Sequence, residues 1–131
     1  HQAMLYVKNR VEQGDFISGW WWNYYVYYVN LYDLNVTYVP LDTVNPNVIN
    51  EALETEKLIN WDEIVLNDYV VTTVKPRFII ISRLYLDSVF NATMKEVLLN
   101  NYELVWFGEP PVGYFWYDTN YQVWLVFERK P

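Results

Sequence analysis

The stretch Arg77-Phe78-Ile79-Ile80-Ile81-Ser82 constrains the fold more than any other part of the chain. A β-strand sends successive side chains to opposite faces, so an apolar run without polar alternation needs cover on both sides. It predicts a central strand with a layer packed on each face, the α/β arrangement.

The flanking sequence supplies those layers. Met4, Val7 and Val11 share one helical face over 4–13, and Gly14 stands where that helix would stop. Residues 15–18 and 36–39 predict short strands, the second stopped by Pro40. Between them, Trp21, Tyr24/Tyr25, Tyr28 and Leu31/Tyr32 recur at helical spacing over a length too great for a strand. Asn45-Pro46 caps and opens a helix carrying Val48/Ile49, Ala52/Leu53 and Ile59. A second start at Asn60-Trp61-Asp62-Glu63 opens a helix with Ile64/Val65, Asp68/Tyr69 and Thr72, ending before Pro76. Residues 88–100 predict a helix with Phe90, Met94, Val97 and Leu98 inward, and 102–107 a strand. The last strands, 114–117 and 122–128, flank Asp118-Thr119-Asn120 and predict a hairpin. The expected fold is α/β: a small, mainly parallel sheet with helices on both faces and a C-terminal antiparallel hairpin.

At 131 residues and 53% hydrophobic content the chain fits one domain with one core, and 19% charge argues against disorder. The longest apolar run is broken by Asn23, Asn30 and Asp33, short of the ~18 residues a membrane helix needs. No basic-then-apolar leader opens the chain. The expectation is a soluble piece.

Net charge is −7, and the cations fall in separate pairs: Lys8/Arg10, Lys75/Arg77 and Arg129/Lys130. Phosphate backbones need clustered cations, so nucleic acid and anionic membrane surfaces are disfavoured partners. There is no cysteine, and the one histidine is His1. The opening His1-Gln2-Ala3-Met4 resembles an expression-tag remnant, which makes 1–4 a scar and 5–131 the natural domain. Thiolate nucleophiles, Ser-His-Asp triads and His- or Cys-based metal sites are then excluded. Four glycines cannot build phosphate-cradling loops.

Trp20-Trp21-Trp22 cannot all face one side of a helix or strand. Packing in core and edge accounts for some of them; a contact surface is the alternative. In order, Leu5-Tyr6-Val7-Lys8-Asn9-Arg10, Gly14-Asp15-Phe16-Ile17 and Trp21-Trp22-Asn23-Tyr24 resemble the start of the globular domain of oligosaccharyltransferase catalytic subunits, archaeal ones among them. Trp21, Trp22 and Tyr24 match that family's Trp-Trp-Asp-Tyr-Gly signature. Asn23 replaces Asp and Tyr25 replaces Gly, which removes an acceptor-only carboxylate and a flexible backbone position. The remainder is similar to the outward-facing domains of transferases that use lipid-phosphate sugars, through Lys75-Pro76-Arg77-Phe78-Ile79-Ile80-Ile81 and Tyr102-Glu103-Leu104-Val105-Trp106.

The resemblance implies acceptor binding by Trp21, Trp22, Asn23 and Tyr24, with no catalytic or metal-ligating residue in this chain. Divalent metal and lipid-linked sugar donor would belong to a membrane part outside these residues. The implied partners are that transmembrane part and an acceptor polypeptide or glycan, on the extracytoplasmic side of a membrane. The expected role is support or acceptor positioning within a membrane glycosyltransferase.

Two other readings stand beside it. Tyr114, Trp116 and Tyr117 cluster with further aromatics at the terminal hairpin; such rings stabilise hairpins by cross-strand pairing, and exposed ones stack on sugars. They would serve a free-standing carbohydrate- or protein-binding module. Asp62/Glu63, Glu51/Glu54 and Asp15 would serve a small carboxylate-dependent hydrolase, if two of them faced each other across a bond. Glu51, Glu54 and Lys57 otherwise form an ordinary solvated helix face. Asn35-Val36-Thr37 and Asn91-Ala92-Thr93 match the N-glycosylation triplet, the latter inside the predicted 88–100 helix.

Overall fold

The computed structural model describes residues 2–19, 31–43, 54, 64–108 and 123–131. In chain order its elements are α1 (Gln2–Lys8), β1 (Phe16–Gly19), β2 (Thr37–Pro40), β3 (Asp42–Thr43), β4 (Val65–Leu66), a π-helical turn (Val70–Val74), β5 (Phe78–Ser82), α2 (Arg83–Val89), α3 (Ala92–Asn101), β6 (Tyr102–Gly108) and β7 (Trp124–Arg129). Five strands form one sheet in the order β2-β1-β5-β7-β6, and β3 pairs with β4 separately. β2 and β5 run parallel to β1, while β7 is antiparallel to both β5 and β6. The fold is α/β, with a parallel and an antiparallel half meeting at β5. The C-terminal hairpin is β6–β7; residues 114–117, expected as one of its arms, lie outside the described residues.

All five residues of β5 are buried. Its alternation divides the core in two. Phe78 and Ile80 pack with Ile17, Val126 and the α1 residues Ala3, Met4 and Val7. Ile79 and Ile81 pack on the other face with Leu125, Phe127, Val70, Val71, Tyr85 of α2, and Met94 and Leu98 of α3. Helices therefore cover both faces. Helix α1 starts at Gln2, and Ala3 and Met4 are core residues.

Several elements differ from the sequence expectation. Helix α1 ends at Lys8, earlier than 13, although Val11 N still donates to Val7 O at 2.9 Å. Pro40 is the last residue of β2, not a stop before it; β2 is an edge strand, where a missing N–H costs no ladder bond. The helix expected from residue 61 is replaced by strand β4 and a helical stretch only from Asp68 onward, most of it π-helical. The run Val70-Val71-Thr72-Thr73-Val74 is entirely β-branched, which crowds a regular α-helix. Two helices stand where 88–100 predicted one. Ser82 accepts from Tyr85 N at 3.1 Å and Asn91 from Met94 N at 2.8 Å, so each helix has its own side-chain cap. The expected inward residues hold: Phe90, Met94 and Leu98 are buried, and Val97 packs beside them. The helices predicted over 20–32 and 45–59 lie outside the described residues, apart from the helical Leu31 and Glu54.

The amino ends of the parallel strands are tied by Arg77. Its Nη1 donates to Asp15 Oδ2 at 2.8 Å, and Nε and Nη2 both reach Glu128 Oε2 at 3.3 Å. Arg77 N donates to Phe16 O, and Arg77 O accepts from Arg129 N, both at 2.8 Å. Nearby, Gly14 takes φ +84, a conformation L side chains resist, and its N–H donates to Asn35 O at 2.8 Å. The buried Tyr102 satisfies its hydroxyl by donating to Pro76 O at 2.5 Å.

Lys75 is left-handed at φ 48, closing the π turn with its N–H on Val70 O at 2.8 Å, while its own carbonyl accepts from Arg129 Nη1 at 2.7 Å. These contacts use only its backbone, so Lys75→Gly keeps them and relieves the steric cost. The expected gain is about 0.5–1 kcal/mol, the difference between the left-handed penalty and the added entropy of an unfolded glycine. Urea unfolding of the two proteins measures it; a destabilised variant would refute this account of the turn.

Candidate functional site

In the order β2-β1-β5, the chain goes from β1 to the neighbour on one side, then to the neighbour on the other. The described end of the first crossover, Tyr32, Leu34 and Val36, packs on the α1 face; the second brings Val70 and Val71 onto the opposite face. The strand order therefore switches direction at β1. Open α/β sheets bind ligands outside the carboxyl ends of the strands at such a point. Here those ends are Gly19 of β1, Pro40 of β2 and Ser82 of β5.

Polar side chains gather there. Ser18 is buried, and its Oγ donates to Val39 O at 2.6 Å across the β1–β2 pair. Tyr38 reaches over the end of β1 and donates its hydroxyl to Gly19 O at 2.5 Å, leaving the phenol oxygen able to accept. Two residues past β2 the chain places Asp42, whose carboxyl is pushed above its ordinary value by burial. From β5, Ser82 caps α2 and thereby fixes Tyr85, fully buried one turn on. Its ring meets Phe90 edge-on at a centroid distance of 6.1 Å. Burial raises both phenols first, and the charge of Asp42 raises them further. Asp42 is thus within electrostatic reach of Tyr38 and Tyr85. Of this set the Asp42 carboxyl and the Tyr38 phenol are half-buried and within reach of a polar ligand, while Tyr85 is fully buried beneath them in the core.

None of these residues stood out in the sequence. The available signal was positional: an acid shortly after a strand that alternates with helices lies at the carboxyl edge of a parallel sheet. The residues that did stand out are placed unevenly. Trp21, Trp22, Asn23 and Tyr24, the aromatic trio Tyr114, Trp116 and Tyr117, and the acids Glu51, Asp62 and Glu63 lie outside the described residues. Glu54 is exposed on a helical residue. Asp15 holds Arg77 at 2.8 Å and also accepts from Glu12 N at 2.7 Å. Asp87 lies between Arg83 and Lys95, at 3.8 and 3.6 Å. Among the described residues, no group of three or more His, Cys, Asp and Glu side chains converges as a metal site. No described helix is long and apolar enough to cross a membrane.

Compared with protein-family models, curated proteins and solved structures, the chain matches none.

Asp42 makes the site sensitive to pH. Its folded-state value stands above the unfolded one, so its contribution to stability is full below the ordinary value of 3.8 and falls as pH climbs through the raised value. Asp42→Asn stays neutral throughout. Relative to the parent, the variant gains stability between pH 3 and pH 7 in urea unfolding; an identical difference at both pH values would remove Asp42 from this role.

Proposed function

We propose that this chain is the extracytoplasmic globular domain of a membrane-bound glycosyltransferase of the oligosaccharyltransferase kind, and that it supports the enzyme or positions its acceptor without catalysing transfer. The carrying observation is positional. The chain leaves β1 at Gly19, at the switch point of the sheet, and the next residue in sequence is Trp20, which opens the tract resembling the family's acceptor-binding signature. In an α/β fold this is the edge from which a ligand is held. The side chains of Tyr38 and Asp42, half-buried at the same edge, suit amide and hydroxyl groups, the chemistry of a polypeptide or glycan acceptor.

Among the described acids, Asp15 and Glu128 are held by Arg77 and Asp87 lies between Arg83 and Lys95, so these three are engaged in ion pairs. A lipid-phosphate sugar and its metal would be handled by the membrane part, and the acceptor would be presented from this domain.

The purified 131-residue chain is expected to transfer no sugar from a lipid-phosphate donor, while the full-length protein, with membrane helices encoded upstream of Met4, does so. Unaided turnover by the isolated chain, or a gene that starts at Met4 and encodes no membrane helix, would overturn the proposal. Saturable glycan binding by the isolated chain, followed through its tryptophan fluorescence, would favour a free-standing binding module instead.

A further inference from the structure

We infer that Asn35 is an N-glycan attachment site open in the folded protein, and that Asn91, which carries the same triplet, is closed once the protein has folded.

Asn35-Val36-Thr37 leads into β2, which among the described residues pairs with β1 alone and forms one edge of the sheet. Asn35 and Thr37 are exposed, while Val36 between them packs on the α1-side core. Extended backbone sends residues i and i+2 to the same side, so the carboxamide and the hydroxyl project together into solvent. The backbone is held in that register from both directions. Gly14 N donates to Asn35 O at 2.8 Å, and Thr37 N donates to Asp15 O at 2.9 Å. Among the described residues no hydrogen bond engages the Asn35 carboxamide or the Thr37 hydroxyl. A transferase that reads both groups at once finds them side by side and unencumbered.

Asn91-Ala92-Thr93 matches the same pattern in a different geometry. Asn91 is the N-cap of α3, and its Oδ1 accepts from Met94 N at 2.8 Å, which fixes the side chain against the first turn. Thr93 is already helical. Asn91 is extended and Thr93 helical, so the backbone turns between them and the triplet lacks the continuous extended run that sets Asn35 and Thr37 on one side.

The reaction joins Asn35 Nδ2 to the anomeric carbon of a lipid-pyrophosphate-linked oligosaccharide. The carbon–oxygen bond to pyrophosphate breaks and the lipid pyrophosphate leaves with the electron pair. One proton is lost from Nδ2 as the carbon–nitrogen bond forms. The product sits at the amino end of β2. From Thr37 to Asp42 the chain advances roughly 17 Å at strand spacing, so the glycan lies at the opposite end of the sheet from the Asp42 cluster. Occurrence of the modification in the cell rests on the extracytoplasmic placement proposed above; the accessibility of Asn35 does not.

The test incubates the purified, folded chain with a single-subunit, sequon-reading oligosaccharyltransferase and its lipid-pyrophosphate-linked oligosaccharide. Intact mass and peptide mapping locate the product. One glycan increment is expected, at Asn35, lost in Asn35→Gln and Thr37→Ala, kept in Thr37→Ser and unchanged in Asn91→Gln. The urea-unfolded chain is expected to take glycan at both sites, which shows that both triplets are readable by the enzyme. A folded chain left unmodified at Asn35, or modified at Asn91, would overturn the inference. Either result leaves the glycosyltransferase reading untouched, and an upstream gene lacking membrane helices would remove that reading without affecting the reactivity of Asn35.

Discussion

Burial of β5 on both faces is the constraint from which the rest of the structure follows. Phe78 to Ser82 cannot be solvated on either side, so α1 must cover one face and α2, α3 and the π turn the other. β5 also carries the change in sheet character, pairing parallel with β1 through Ile17↔Phe78 and antiparallel with β7 through Ile79↔Phe127. β5 is paired along its whole length with β7 and over Phe78 to Ile80 with β1, which suits a run without polar side chains.

The two ends of the parallel strands are built for different purposes. At the amino ends, one guanidinium gathers carboxylates from before β1 and from the end of β7, and main-chain bonds close around it. Charge there is matched by charge and by hydrogen bonds. At the carboxyl ends, burial raises the Asp42 carboxyl and the Tyr38 and Tyr85 phenols, and the charge of Asp42 raises the two phenols further. A polar cluster of that kind contributes less to stability than an apolar one would, which is the usual mark of a surface kept for binding. The proposed role in acceptor positioning draws on this asymmetry, and the glycan inferred at Asn35 falls at the clamped end, away from the cluster.

Much of the layer architecture was legible in the chain because it depends on local periodicity. The unbroken run at 78–82 required a central strand, and Met94, Val97 and Leu98 pointed inward at helical spacing, as they do in α3, with Phe90 packed beside them from the end of α2. Of the short elements, the strands expected at 15–18 and 36–39 are present as β1 and β2, while others were not legible. Helix α2 has seven residues, too few for a clear periodic signal, and exists because Ser82 caps it and Tyr85 is buried beneath it. The two-residue strands β3 and β4 pair across more than twenty positions of sequence, which no local pattern reports. The candidate site was hidden for the same reason: Ser18, Tyr38, Asp42 and Tyr85 come from separate segments and acquire meaning only when the sheet brings their strand ends together.

By itself the amino-acid sequence determined the class of the fold, the double-sided burial of β5 and the inward face of α3, because these follow from where apolar side chains recur along the backbone. The tertiary structure alone decided that the sheet divides into a parallel and an antiparallel half, that one glycosylation triplet leads into an edge strand while the other caps a helix, and that Asp42 lies within electrostatic reach of two phenols. Those properties depend on which distant segments become neighbours, and pairing at long range is settled by packing of the whole chain, not by the propensity of any window within it.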